Sequence, residues 1–349
     1  MFFKNSSLLS IDIGTSSIKL AEVDVSGRGA KLKRFAIQPI EPGQVVGGDL
    51  TDISAVSAAI EGLVKMTKTR RRNVATALWG SSVIIKRIVM PKMPAGIDRD
   101  QLKWEAEQYI PFDINEIGLE YHIMKGPPGG ETMDVLLVAA KNECLFKFYE
   151  AVESARLKCA IVDVASFALA NCFEFNYGIF DRPTALINVG AGVTNFVVVE
   201  KGEVSFARDV SVGGSMYSSE IAKAMNVSLA EAEALKISAS LKQEVPNEVP
   251  SIISSINEQI VEELRNSFEF YAATSGGTQV VKFYVSGGSM FVPGLIEQVA
   301  TSAGIPFETL NPFLKVTYDT KVFTPSYIEQ IKAISPVALG LGLRKMGDR

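Results

Sequence analysis

The stretch "LLSIDIGTSSIKLAEVDV" (residues 8–25) sets a glycine, a threonine and two serines between two strand-like runs. Ile11 and Ile13 alternate with polar positions before the turn, and Ile18 and Leu20 do so after it, which is the period of a half-buried strand. With "AKLKRFAI" (30–37) after the turn "SGRG", the segment reads as a β-meander. P-loop nucleotide sites run from a strand into a helix and carry a lysine before Ser or Thr. No G-x-x-x-x-G-K-[ST] occurs here, so that class is excluded. A tight hairpin binds phosphate by another route, because glycine lets backbone N–H groups converge on the oxygens while hydroxyls add donors. Gly14, Thr15, Ser16 and Ser17 are the candidates, with Asp12 facing the metal that accompanies the phosphates. Alone, such a hairpin is most often an ordinary surface turn.

The pattern recurs. "ALINVGAGVTNFVVVEKGEVSFARDV" (185–210) gives an apolar strand, a polar residue at Asn188, the turn "GAGVTN", a second strand, a short turn and a third strand. The chain is therefore read as internally duplicated. A dinucleotide fingerprint would require a helix after the glycines, and strand-forming "FVVV" stands there instead. Two such hairpins in two similar lobes would grip a triphosphate from both sides of a cleft.

Two further segments supply candidates for the rest of a nucleotide. "VKFYVSGGSMFVPGLIEQVA" (281–300) is a buried-type strand, a glycine pair and a Pro-Gly step into an amphipathic helix, so Gly287, Gly288 and Ser289 would let a ring or ribose approach the backbone near a helix N-terminus. "GGSMYSSEIAKAMNVSLAEAEALKI" (213–237) places Gly213 and Gly214 before two helices, with Glu233 and Lys236 one turn apart. That pair suits adenine and ribose, or forms a surface ion pair.

Composition narrows the classes. The 349 residues are 47% apolar and carry a formal net charge of −4, which argues against nucleic acid as the main partner. The basic run "KMTKTRRR" (65–72) is expected to be a solvated helix end, with phosphate or lipid contact as the alternative. Cys144, Cys159 and Cys172 lack metal-type spacing and are odd in number, as expected of core thiols in a reducing compartment. The start is too short an apolar stretch for a secretory signal, and no window reaches the ~20 apolar residues of a membrane span, so a cytosolic chain without direct membrane insertion is expected.

The ordered set resembles the actin-like ATPase superfamily, which includes actin, DnaK-type chaperones, sugar kinases, MreB and FtsA. It comprises "IDIGTSSIK" (11–19), "INVGAGVTN" (187–195), "VSGGSMFVPGL" (285–295) and the closing helix "PVALGLGLRK" (336–345). The resemblance implies an α/β, actin-like ATPase fold, with two duplicated lobes, β-hairpin phosphate loops and an FtsA-type small α+β insert in the first lobe. It adds Lys19, Gly190, Gly192, Thr194 and Asn195 to the nucleotide candidates, with ATP as cofactor and Mg²⁺ at Asp12, directly or through water. The superfamily's second motif usually opens with Asp. Asn188 removes one negative charge near the cation, so ATP is expected to bind and to turn over slowly or not at all.

Within that group the chain is most similar to the PilM family of the type IV pilus assembly platform. The carriers are the start of the chain, "LKWEAEQYIPFDINEIGLEYHI" (102–123) and "VLLVAAKNECLFKFYEAVESARLK" (135–158). The last two form an insert read as strand, loop "MPKMPAG", acidic helix, strand, "GPPGG", strand and long helix, with Trp104, Tyr109, Ile110 and Phe112 as its expected core. His122, the single histidine, is expected in a strand without a catalytic role.

The resemblance implies a scaffold that binds the N-terminal cytoplasmic peptide of PilN as an extended segment with apolar anchors, between lobe one and the insert. Through PilN it would reach the PilN/PilO inner-membrane complex, with pilus motor ATPases and a homo-oligomer as further partners. Two other classes compete. A filament-former of the MreB or FtsA kind is disfavoured because "GLRKMGDR" is too short and polar for an amphipathic membrane helix. A small-molecule kinase needs a positioned carboxylate base, and Asp163 reads better as a helix-start residue. The expected domains are 1–78, 161–183 and 333–349 for the first core, 79–160 for the insert, 184–217 and 279–332 for the second core, and 218–278 for a helical subdomain.

Overall fold

A computed structural model describes residues 7–27, 29–92, 98–125 and 131–348. The extreme N-terminus, most of "MPKMPAG" and all of "GPPGG" lie outside these residues. The first sheet has six strands in the order Lys158–Val164, Asn73–Leu78, Leu9–Ile13, Ser17–Ser26, Gly29–Pro39 and Val316–Tyr318. The second has five, in the order Glu203–Val210, Thr194–Glu200, Thr184–Val189, Lys282–Ser286 and Phe307–Thr309. Each begins with an antiparallel meander whose first strand then pairs in parallel with a later one. This is the duplication read from the sequence.

Burial explains the strand runs. Leu9–Ile13 is buried at every position, as a central strand covered on both faces should be. Helix Ala165–Tyr177 and helix Pro336–Gly342 cross so closely that a Cβ on Gly340 would lie 1.8 Å from the Ala168 carbonyl oxygen, so only glycine fits there. The closing helix thereby returns the C-terminal part to the first sheet. Strand Val316–Tyr318, expected within lobe two, is hydrogen-bonded to Gly29–Pro39.

The insert is a three-stranded sheet, Val83–Pro91, Thr132–Lys141 and Ile117–Ile123, covered by helix Arg99–Glu107. Leu102 and Ala106 share one face of that helix and, with Ile110 just beyond its end, fill the insert's core. Trp104 does not join them: it points to solvent at 64% exposure, and Tyr109 is also exposed, contrary to expectation. Helix Asn142–Ser154, grouped with the insert by sequence, packs Phe148, Ala151 and Val152 into the main core beside helix Ile53–Thr67.

Two other expectations are corrected. Helix Ile53–Thr67 stops at Lys68 in the left-handed conformation, but the basic run after it is not simply solvated. Arg71 is largely buried, where it pairs with Asp24 and Glu22 and donates to the Leu8 and Val23 carbonyls. The last four of the ten residues of the expected polar loop "KQEVPNEVPS" are helical, because Glu248–Thr274 starts within it. Pro250 sits in that helix's first turn, where a missing N–H costs nothing. All three cysteines are free thiols, and burial pushes Cys159 up to about 11.

Candidate functional site

In the first hairpin, the Gly14 N–H donates to the Ser17 carbonyl at 3.1 Å and closes the turn. The antiparallel register places Asp12 opposite Lys19, and Lys19 Nζ donates to Asp12 Oδ2 at 3.3 Å. Both side chains are largely buried. Ser16 is exposed at the tip. Trp79, which the sequence did not mark, is buried and donates its indole N–H to the Ile13 carbonyl at 2.7 Å, just before the turn.

The second hairpin repeats the turn, since the Gly190 N–H donates to the Val193 carbonyl at 3.0 Å. Its polar groups differ. Asn188 lies in register with Asn195 on one side and Ser286 on the other, and Asn195 with Asp209, so a polar row crosses the sheet at one level. Asn188 Nδ2 donates to Asn195 Oδ1 at 2.9 Å, and Asn195 Nδ2 to Asp209 Oδ1 at 2.7 Å. Ser286 Oγ donates to Asn188 Oδ1 at 3.1 Å. Thr194 Oγ donates to the Val212 carbonyl at 2.9 Å and anchors the following loop. Burial pushes the Asp209 carboxyl above the ordinary aspartate value, against hydrogen bonds from Asn195, the Gly80 N–H and Ser166 that favour its charged form.

Around this hairpin the remaining candidates converge. The Gly190 carbonyl accepts from the Gly214 N–H and from Ser289 Oγ, each at 2.9 Å. Lys236 Nζ donates to Glu233 at 2.6 Å and to the Gly214 carbonyl at 3.2 Å, while Ser218 also donates to Glu233. Lys236 is buried, which is unusual for a helix-surface ion pair. Gly287 has φ +94°, and a Cβ there would meet the Val189 carbonyl oxygen at 2.2 Å. Gly213 is held by space rather than by backbone angle, since a Cβ would stand 2.6 Å from two carbonyl oxygens. Gly288 opens the short helical turn Gly288–Phe291. The lobes meet at the tips, where a Cβ on Gly192 would be 2.6 Å from Thr15 Oγ.

The donor set suits a phosphate-rich ligand: glycine turns, hydroxyls and the largely buried Lys19 and Lys236, with the carboxylates of Asp12, Glu233 and Asp209 each already hydrogen-bonded within the protein. Among the described residues no cluster of three His, Cys, Asp or Glu side chains could hold a metal ion. Asp12, paired with Lys19, would meet Mg²⁺ outside any such cluster, which fits an ion held mostly by water and phosphate oxygens. Asp163, weighed as a kinase base, is already committed. Its carboxylate pairs with Arg344 and accepts the Val164 N–H at 2.8 Å at the start of helix Ala165–Tyr177.

A concavity lies where the insert meets helix Asn142–Ser154. It holds about 610 Å³ and is lined by Phe112, Asn115, Ile117, Lys141, Asn142 and Phe146, among others. Lys141 Nζ stands 4.6 Å from the Phe112 ring centroid, and Phe146 is 68% exposed. His122 lies in the strand expected of it, on the opposite side of the insert, exposed and 3.5 Å from Glu203.

Duplicated lobes with matched hairpin turns on either side of a cleft define the actin-like ATPase fold. The chain belongs to the family described as "Type IV pilus assembly protein PilM", whose model matches residues 10–346. It is similar at 30% identity to a chain of the solved "PilM-PilN type IV pilus biogenesis complex", with a TM-score of 0.88 over 99% of this chain and 100% of that one. It also resembles the ethanolamine utilization protein EutJ of Carboxydothermus hydrogenoformans, at 18% identity and a TM-score of 0.57, over 96% of this chain and 89% of that one. The second likeness concerns the fold alone. Among the described residues no helix is long and apolar enough to cross a membrane.

Proposed function

We propose that this chain is an ATP-binding adaptor of the type IV pilus assembly platform, which holds Mg-ATP between its hairpins and an N-terminal peptide of PilN in the groove between insert and lobe one. The observation that carries the nucleotide half is convergence. Gly190, Gly214, Lys236 and Ser289 meet through direct hydrogen bonds although they come from distant parts of the chain. The peptide half is supported by the 0.88 likeness to a PilM–PilN complex and by a groove that carries the exposed Phe146 beside the half-buried Phe112. An extended peptide with apolar side chains would seat them at Phe112 and Phe146 while Lys141 meets an acceptor. Binding PilN would bring the protein to the inner membrane beside PilN and PilO.

Turnover is expected to be slow. Asn188 gives a neutral amide where a carboxylate would order the attacking water, and its amide is already engaged on both sides. The test is calorimetric titration with a synthetic PilN N-terminal peptide, using wild type and Phe146→Glu. Saturable binding lost in the variant supports the adaptor; absence of binding to the wild type contradicts it.

A further inference from the structure

Strands Leu9–Ile13, Asn73–Leu78 and Lys158–Val164 run parallel, and the first ends at the phosphate turn, so their starts form the opposite pole of lobe one. Helices Ile53–Thr67 and Asn142–Ser154 also end there, because the chain passes from them directly into the second and third of these strands. Strands Ser17–Ser26 and Gly29–Pro39 reach the same pole with Asp24 and Lys31, which lie in register. Basic side chains gather on it. Among the described residues Lys31, Lys68, Arg70, Arg72 and Lys158 are exposed and take part in no ion pair. The Lys158 N–H donates to the Arg72 carbonyl at 2.7 Å and Arg34 donates to the Thr67 carbonyl at 2.8 Å, so loop and strands form one surface. From Lys158 to Lys31 it crosses four inter-strand steps of about 4.8 Å, or about 19 Å.

The acidic side chains of this pole are already matched by other cations. Glu22 pairs with Arg34 and Arg71, Asp24 with Lys33 and Arg71, and Glu61 with Lys65 and Arg156. The five unpaired cations are therefore in excess, in a chain whose formal net charge is −4. Arg71, held by the Leu8 and Val23 carbonyls, fixes the loop while Arg70 and Arg72 on either side stay exposed. Conformation adds a second argument. Beyond their last turns the two helices pass through Lys68 and Arg156, with φ +50° and +60°, the left-handed region where glycine is the ordinary residue. Attraction to the helix dipoles offsets part of that strain, but Lys31, Arg70, Arg72 and Lys158 lie outside any helix. Unpaired like charges this close repel one another, which a surface of opposite sign relieves. Met66, exposed in the last turn of Ile53–Thr67, adds an apolar side chain beside them.

We propose that this basic face rests on the anionic headgroups of a lipid bilayer, in a weak electrostatic contact separate from the nucleotide cleft and the insert groove. The adaptor reading above supplies only the location, since a chain carried to the inner membrane meets a fixed negative surface there. Cations spread over about 19 Å with a methionine beside them fit a plane of headgroups above acyl chains, whereas the phosphates of a nucleic acid offer nothing to Met66. Each basic residue at an anionic leaflet strengthens binding by about fivefold, so the five act only together and lose their effect in high salt. Such a contact is too weak to anchor the protein by itself and becomes effective beside a second attachment. The groove lies at the other end of helix Asn142–Ser154, whose 13 residues span about 20 Å, so about six extended residues of a peptide would reach from bilayer to groove.

The experiment is co-sedimentation of the full chain, without peptide or nucleotide, with vesicles of phosphatidylglycerol and phosphatidylcholine in about equal parts, and with phosphatidylcholine alone. Wild type is expected to bind the mixed vesicles at about 50 mM salt, at least about tenfold more weakly at about 500 mM, and the neutral vesicles not at all. Lys31→Glu, Arg70→Glu and Lys158→Glu together should abolish binding. The same charge change made at the exposed Lys103, Lys223 and Lys242, in the insert and lobe two, should leave it within about threefold. Should the charge reversal fold poorly, Lys31→Gln, Arg70→Gln and Lys158→Gln together should still weaken binding at least about tenfold. Equal binding to neutral vesicles, no binding at low salt, or equal losses in the two sets of variants would overturn the proposal. Tighter binding to duplex DNA than to the mixed vesicles at equal phosphate would also overturn it, by assigning the face to nucleic acid. Failure of the PilN peptide to bind is a separate result that leaves this one standing, because no peptide enters the assay.

Discussion

The two hairpins share a backbone and differ in their chemistry. Gly14 to Ser17 and Gly190 to Val193 close with the same hydrogen bond, at 3.1 and 3.0 Å. In lobe one the polar content is an ion pair, Asp12 with Lys19. In lobe two it is a row of amides ending on a carboxylate, Ser286, Asn188, Asn195 and Asp209. Duplication thus fixed the backbone of both turns, while the carboxylate–lysine pair stands on one side only and the other side is tied to the insert through Asp209 and Gly80. A fold built from two copies can divide its work this way because each sheet supplies its own neighbours to the turn.

The largest expected effect tests how tightly each turn is enclosed. Gly213→Ala puts a Cβ 2.6 Å from the Gly190 and Ala191 carbonyl oxygens, whereas Gly14→Ala meets the Ser17 oxygen at 3.2 Å and the flexible Lys19 Nζ at 3.7 Å. Thermal melts should show Gly213→Ala losing about 2 kcal/mol or more and Gly14→Ala well under half of that. Equal losses would erase the asymmetry between the hairpins.

Restoring the absent carboxylate is the next test. Asn188→Asp removes the donor to Asn195 Oδ1 and sets two oxygens face to face. Turning the Asn195 amide only moves the clash to Asp209. The row breaks at one point either way, so the variant should lose about 1–3 kcal/mol without Mg²⁺ in denaturant melts, and regain part of it with Mg-ATP. A variant as stable as wild type in the absence of Mg²⁺ would show that the row does not constrain the turn.

A smaller effect concerns pH. Burial raises Asp209 above the ordinary 3.8, so the folded state holds this proton more tightly than the unfolded chain does. The stabilisation of the neutral form is fully present below about 3.8 and is lost as the pH rises through the raised value. The stability difference between wild type and Asp209→Asn should therefore move against wild type from pH 4 to pH 7, measured as denaturant midpoints. A difference that moved in favour of wild type would mean that the three donors outweigh burial.

Much of this was legible in the sequence, because the turns, the strand alternation and the insert's element order are local patterns. Asp209 was not, for a specific reason. Counting back from the Lys201–Gly202 turn pairs Asn195 with Arg208, but a bulge between Val198 and Val199 shifts the ladder by one and brings Asp209 opposite instead. Arg71 was misread for a similar reason, since its partners Glu22 and Asp24 lie on a strand far away in the chain. Trp104 was readable after all: Leu102 and Ala106 stand one turn apart on the core face of their helix, and Trp104, midway between them in sequence, falls on another face. Aromatic character alone had suggested the core.

The most direct test of the central claim is calorimetric titration of Mg-ATP into wild type and Asp12→Asn. The account predicts one site in wild type and an affinity at least about tenfold weaker in the variant, a difference of about 1.4 kcal/mol, with little of it remaining when Mg²⁺ is withheld. Equal affinities in the presence of Mg²⁺, or no binding to wild type, would contradict the assignment of the cleft.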